Sequence, residues 1–140
     1  MKQASIILTV ALFSLSARAL GSETPDSFQK QCSAAAAAHD DPGVITWCQR
    51  AAFAYASDAG SKTGEARSTA LLHEAQDILY FSASEAATGN IGMAQKAAVQ
   101  GRNLFNTVAS ASKDDTTTAA ARAGRSEADT LIEKLAAKQP

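Results

Sequence analysis

The chain has 140 residues, of which 46% are hydrophobic and only 6% aromatic, and its formal net charge at pH 7 is −1. This length fits one domain with a modest core. A nearly neutral chain has no basic footprint for nucleic acid, so we expect no nucleic-acid partner.

The N-terminus has the pattern of an export signal. Lys2 precedes an apolar run over residues 6–15, and small residues follow at Ala17 and Ala19. The run is too short to cross a membrane, which takes about 20 apolar residues. We predict a signal peptide over residues 1–19 and a single domain over residues 20–140, with a formal charge of −3 after cleavage. The mature protein is then expected to be periplasmic or secreted, without membrane insertion.

The rest of the chain predicts an all-α fold. Alanine, the best helix former, dominates most segments, and no alternating run of strand length occurs. We predict about five helices: one starting at Thr24–Pro25, then helices over about residues 42–59, 65–87 and 91–111, and a fifth capped by Asp114–Asp115. Stacked antiparallel hairpins and a closed helical bundle both fit this pattern.

The chain also shows an internal similarity. A shift of 47 residues sets Val44 against Ile91 and Ala51 against Ala98, and it brings the turn at Pro42–Gly43 onto Gly89–Asn90. This indicates two similar helical hairpins.

One hairpin resembles a tetratricopeptide repeat. A large and a small residue (Phe81, Ser82) precede the turn at Gly89–Asn90, and small residues follow at Ala94 and Ala98, with Gly101 at the next small position. Three features depart from the family pattern: Glu85 stands where a tyrosine or leucine is usual, no helix-ending proline follows, and the spacing exceeds the roughly 34 residues of the family. Over about residues 28–111, the resemblance implies a superhelical stack with a concave protein-binding surface.

Cys32 and Cys48 are the two cysteines, and in an exported protein we expect them to form a disulfide. Both lie roughly 12 Å from the turn at Asp40–Asp41, so they are level on two antiparallel helices. A closed loop of this size stabilises the fold by about 3 kcal/mol.

The histidines give little support for an enzyme. His73, Glu74 and Asp77 lie in the string HEAQD, where a zinc protease would need a second histidine in place of Asp77. We predict instead a His73–Asp77 ion pair on a solvated helix face, and helix-end charges beside His39. We expect no catalytic residues, no metal and no cofactor.

Aromatic residues cluster on the second predicted helix. Trp47 and Tyr55 share a face, whereas Phe53 points elsewhere. We expect these aromatic side chains to lie in the core, although exposed Trp47 and Tyr55 would be partner or ligand contacts.

Two functions follow as hypotheses. The first is an exported, non-enzymatic helical module that binds another protein in the cell envelope or outside the cell. The second is a small bundle that holds an apolar ligand between its helices, with a pocket lined by Trp47, Phe53, Ile78 and Phe105.

Overall fold

The computed structural model of the protein describes residues 23–138. This part of the chain forms five α-helices and no strand, which confirms the all-α prediction. The helices are α1 (Pro25–Ala37), α2 (Asp41–Gly60), α3 (Gly64–Ala87), α4 (Ile91–Ala111) and α5 (Asp115–Ala136). The predicted signal peptide over residues 1–19 lies outside the described residues.

Side-chain caps explain where three of the helices begin. The Thr24 hydroxyl accepts a hydrogen bond from the Ser27 backbone N–H, and the Ser27 hydroxyl accepts one from Thr24. The Asp40 carboxylate caps α2 and the Asp114 carboxylate caps α5. Each cap satisfies a backbone N–H that has no partner inside its helix. Asp41 is the first residue of α2.

The turn between α1 and α2 and the turn between α3 and α4 have the same geometry. The Asp40 N–H donates to the Ala35 carbonyl over 2.9 Å, and the Asn90 N–H donates to the Glu85 carbonyl over 2.8 Å. Both bonds close a helix end through a residue with positive φ, which is His39 at 53° in the first turn and Gly89 at 90° in the second. The hairpins therefore correspond at an offset of 50 residues, and the 47-residue shift inferred from the sequence was wrong. The 47-residue shift aligned small residues about three positions, or roughly one helical turn, away from their structural equivalents.

α3 is the central helix, since it packs against each of the other four. Among the described residues, the backbones of α2 and α4 do not pack directly against each other, and neither do those of α1 and α5. The helices therefore do not close into a ring. An open groove is left between α2 and α4, with α3 as its floor.

Small residues let the helices approach closely. Ala51, Ala75 and Ala98 are fully buried, and the Gly101 position lies against the Ala75 carbonyl of α3. Gly124 of α5 leaves room for the Phe105 ring, because a β-carbon at this position would overlap the ring. The core is therefore built from close backbone contacts with few large side chains.

Candidate functional site

The two cysteines form the predicted disulfide. The Cα atoms of Cys32 and Cys48 lie 4.7 Å apart, and both residues are fully buried between α1 and α2. Fifty residues further on, the second hairpin has Ser82 at the equivalent place, and its hydroxyl donates to the Ala94 carbonyl over 2.6 Å. A covalent link in one hairpin thus corresponds to a buried hydrogen bond in the other.

A buried carboxyl group lies beside the disulfide. Asp77 is 1% exposed, its Oδ1 lies 3.4 Å from Cys32 Sγ, and its Oδ2 has no hydrogen-bond partner among the described residues. A disulfide sulfur carries no proton, so a hydrogen bond here requires the proton to be on Asp77. Burial raises the pKa of Asp77 to about 7, which favours this neutral form.

A polar network joins α1, α2 and α3. The buried Tyr55 hydroxyl lies 2.6 Å from Asp26 Oδ1 and 2.8 Å from Gln29 Oε1. The Gln29 side chain continues to His73 Nδ1 over 3.0 Å, and the His73 ring stacks on Tyr55 with centroids 4.9 Å apart. Burial, and after it the hydrogen bond to Asp26, raises the pKa of Tyr55, so its hydroxyl remains a donor.

The structure corrects the interpretation of the HEAQD string. His73 and Asp77 do not form the expected ion pair on a solvated face, because Asp77 is buried and His73 contacts Tyr55 and Gln29 instead. The reason is the central position of α3, which has neighbours on opposite sides. His39 is an exposed residue in the first turn.

His73 does face a shallow groove of about 540 Å³, together with the carboxylates of Asp26 and Asp58. Asp26 accepts from Tyr55, and Asp58 pairs with Lys62 at 2.6 Å. The contacts among Asp26, Gln29, Tyr55 and His73 form a polar link between α1, α2 and α3.

Trp47 and Tyr55 both turn towards α1. Trp47 is half-buried beside the disulfide, stacks on Phe28 at 6.5 Å and lies under the Arg50 guanidinium at 5.1 Å. Tyr55 is 4% exposed and contacts α1 through its hydroxyl. The two candidate contact residues therefore lie at the α1–α2 interface, and Tyr55 offers no surface to a partner.

The large apolar side chains exposed in the described residues are Phe53, Tyr80 and Met93, and Tyr80 lines a separate groove formed by α1, α3, α4 and α5. Phe53 is 79% exposed and Met93 is 45% exposed, and they stand on opposite rims of the open groove above α3. We call this the α2–α4 groove; it has a volume of about 310 Å³ and is lined by Gln49, Ala52, Phe53, Ala56, Glu74, Ile78, Phe81, Met93, Lys96, Ala97 and Gln100. Exposed large apolar side chains around a concavity are typical of binding surfaces. This groove is the best candidate site.

The four side chains expected to line an internal ligand pocket are not brought together. Phe53 and Ile78 belong to the α2–α4 groove, whereas Phe105 is fully buried among α3, α4 and α5, and Trp47 packs on α1. The expectation that Phe53 lies in the core was wrong. Its place on α2 lies off the stripe formed by Val44, Cys48 and Tyr55, and that spacing was the available signal.

We also searched the described residues for membrane-spanning helices and for clusters of metal ligands. Among residues 23–138, no helix is long and apolar enough to cross a membrane, and no three acidic, histidine or cysteine side chains converge as metal ligands. Comparison of the chain with family models, with curated proteins and with solved structures finds no match.

Proposed function

We propose that this protein is an exported, non-enzymatic helical module that binds another protein through the α2–α4 groove. The observation that carries the proposal is the pair of exposed apolar side chains, Phe53 and Met93, facing each other across a concave surface. Burying them against a partner removes apolar area from water, which is favourable by about 25 cal/mol per Å².

Compartment and architecture support the same proposal. The disulfide between Cys32 and Cys48 is the kind of bond that persists in an oxidising compartment. Together with the signal-like N-terminus, it favours the periplasm or the extracellular space. The tetratricopeptide-like stack that the sequence resembles would offer a concave surface to a protein, and the open packing around α3 is compatible with such a surface.

Site-specific photo-crosslinking tests the proposal. A photoreactive amino acid replaces Phe53 or Met93, and in the control it replaces Ala119, an exposed α5 residue outside the groove. We expect one adduct of the same protein mass at both rim positions after irradiation in the source organism's envelope or secreted fraction, and none at the control position. Adducts that do not depend on position would contradict the proposal. A small apolar molecule captured at both rims would favour the ligand-binding alternative.

A further inference from the structure

The floor of the α2–α4 groove holds an acidic side chain, Glu74, that is paired with no basic side chain. Glu74 is 7% exposed, and it makes no hydrogen bond or ion pair within the described part of the chain. The groove around it is otherwise largely apolar at its floor, where Ile78 and Phe81 lie on the same helix. A buried charge of this kind is costly unless it is paired.

The one other charged group on the groove is Lys96, which is exposed on α4 and forms no ion pair with Glu74. Gln49 on α2 and Gln100 on α4 provide amide groups at the rims. The floor therefore holds an acidic side chain without a direct partner, while Lys96 and two neutral amide groups line the groove around it. Burial raises the pKa of Glu74, which is consistent with the absence of a protein partner for the carboxylate.

We propose that the α2–α4 groove receives a single lysine or arginine side chain from a partner protein, with the cationic group on Glu74 and the aliphatic stem between Phe53 and Met93. This inference rests on the proposed function and names the chemistry of its partner. A basic side chain fits because its apolar stem would contact Phe53 and Met93 at the rims, while its charged end would contact Glu74 at the floor. A bound cation would supply the charge partner that Glu74 lacks.

The rims indicate a protein segment as the source of this cation. The groove volume of about 310 Å³ lies at the small end of ligand pockets, which span about 300–1,000 Å³. Phe53 stands 79% exposed above it, so a free amine small enough to enter would leave that ring in water. A chain that carries the basic residue between apolar neighbours covers both the floor and the rims.

Peptide selection tests the inference. A displayed library of random twelve-residue peptides is selected on the purified, oxidised full-length protein, on its Glu74→Gln variant and on a Glu133→Gln control, which changes an exposed α5 residue outside the groove. We expect wild type and control to enrich peptides with one lysine or arginine flanked by apolar residues. Replacing that residue by uncharged norleucine should weaken binding to the wild type at least tenfold, and Glu74→Gln should bind both peptides equally weakly.

Stability gives a second readout. Because Glu74→Gln removes a buried unpaired charge while keeping the shape, we expect the free variant to unfold at the same or a higher urea concentration than the wild type, even though it loses binding. A variant that unfolds at a lower urea concentration would show that Glu74 supports the fold, which overturns the inference.

The outcomes separate the inference from the proposed function. Selected peptides that fail to bind a Phe53→Ala variant but contain no preferred lysine or arginine would contradict the inference. They would still support protein binding at the groove. If no peptide depends on either Phe53 or Glu74, both are contradicted.

Discussion

At the residue scale, the unusual groups are acids buried on α3. Asp77 lies beside the disulfide and Glu74 on the floor of the α2–α4 groove, and burial raises the pKa of each. They differ in surroundings, because Asp77 Oδ1 has a sulfur atom 3.4 Å away whereas Glu74 borders an open groove. Asp77 therefore belongs to the interior of the fold, and Glu74 belongs to the candidate binding surface.

The position of Asp77 predicts that stability depends on pH. The pKa of Asp77 is about 7 in the folded protein and about 3.9 in an unfolded chain. Between these values the folded state holds the proton and the unfolded state does not. The contribution of Asp77 to stability is therefore greatest below about pH 4, falls as the pH rises towards 7, and is flat above. At about 1.4 kcal/mol per pKa unit, the loss is on the order of 4 kcal/mol.

Urea unfolding between pH 5.5 and 8 measures this effect. An Asp77→Asn variant, which stays neutral with nearly the same shape, should lose most of the slope and be more stable than the wild type at pH 8. Asp129→Asn, at a half-exposed position on α5, is the control and should keep the wild-type slope. Parallel curves for wild type and Asp77→Asn would show that Asp77 does not titrate in this range.

At the element scale, the two hairpins use the same turn with different residues. His39 and Gly89 both adopt positive φ, at 53° and 90°. A β-carbon makes this conformation unfavourable, and glycine tolerates it. The first hairpin therefore contains a strained residue next to its disulfide-linked helices, whereas the second does not.

Exchanging the residue types should change stability in opposite directions. We expect His39→Gly to stabilise the protein by about 1 kcal/mol, because it relieves the strain at the helix end. Gly89→Ala should destabilise it by about the same amount, since nothing within 4 Å of the new β-carbon would add a contact. Urea midpoints of the two variants and the wild type measure both changes. A loss of stability in His39→Gly would mean that the imidazole contributes more than the backbone strain costs.

At the scale of the whole molecule, the fold is an open packing organised around α3. That helix contacts all four others, while the backbones of α1 and α5 stay apart and their side chains line one groove over α3. The end helices therefore bury less of their surface than the centre does. In such an arrangement, local stability is expected to decrease from the middle outwards.

Amide hydrogen exchange should show this gradient. We expect the slowest exchange in α3 and faster exchange in α5, with α1 protected by its disulfide to α2. Reducing the disulfide should raise exchange in α1 more than in α4. Equal protection across all five helices, with no response to reduction, would indicate a single cooperative unit instead.

Much of the fold could be predicted from the sequence, but little of the candidate site. The helices begin and end within about a residue of the expected positions, and Cys32 pairs with Cys48. Glu74 was noticed only as part of a string that resembles a zinc motif, and Phe53 was assigned to the core. Both interpretations failed at the same step, which was deciding which side of a helix is covered.

The physical reason is the range over which each property is determined. Helix formation, caps and turns depend on residues within a few positions of one another, so the sequence alone determined the all-α class, the helix boundaries and the level pairing of the cysteines. Burial depends on how many other helices surround a given face. Only the tertiary structure, by placing α3 among four neighbours and leaving α2 and α4 apart, decided that Asp77 is enclosed, that Glu74 faces a groove and that Phe53 is exposed.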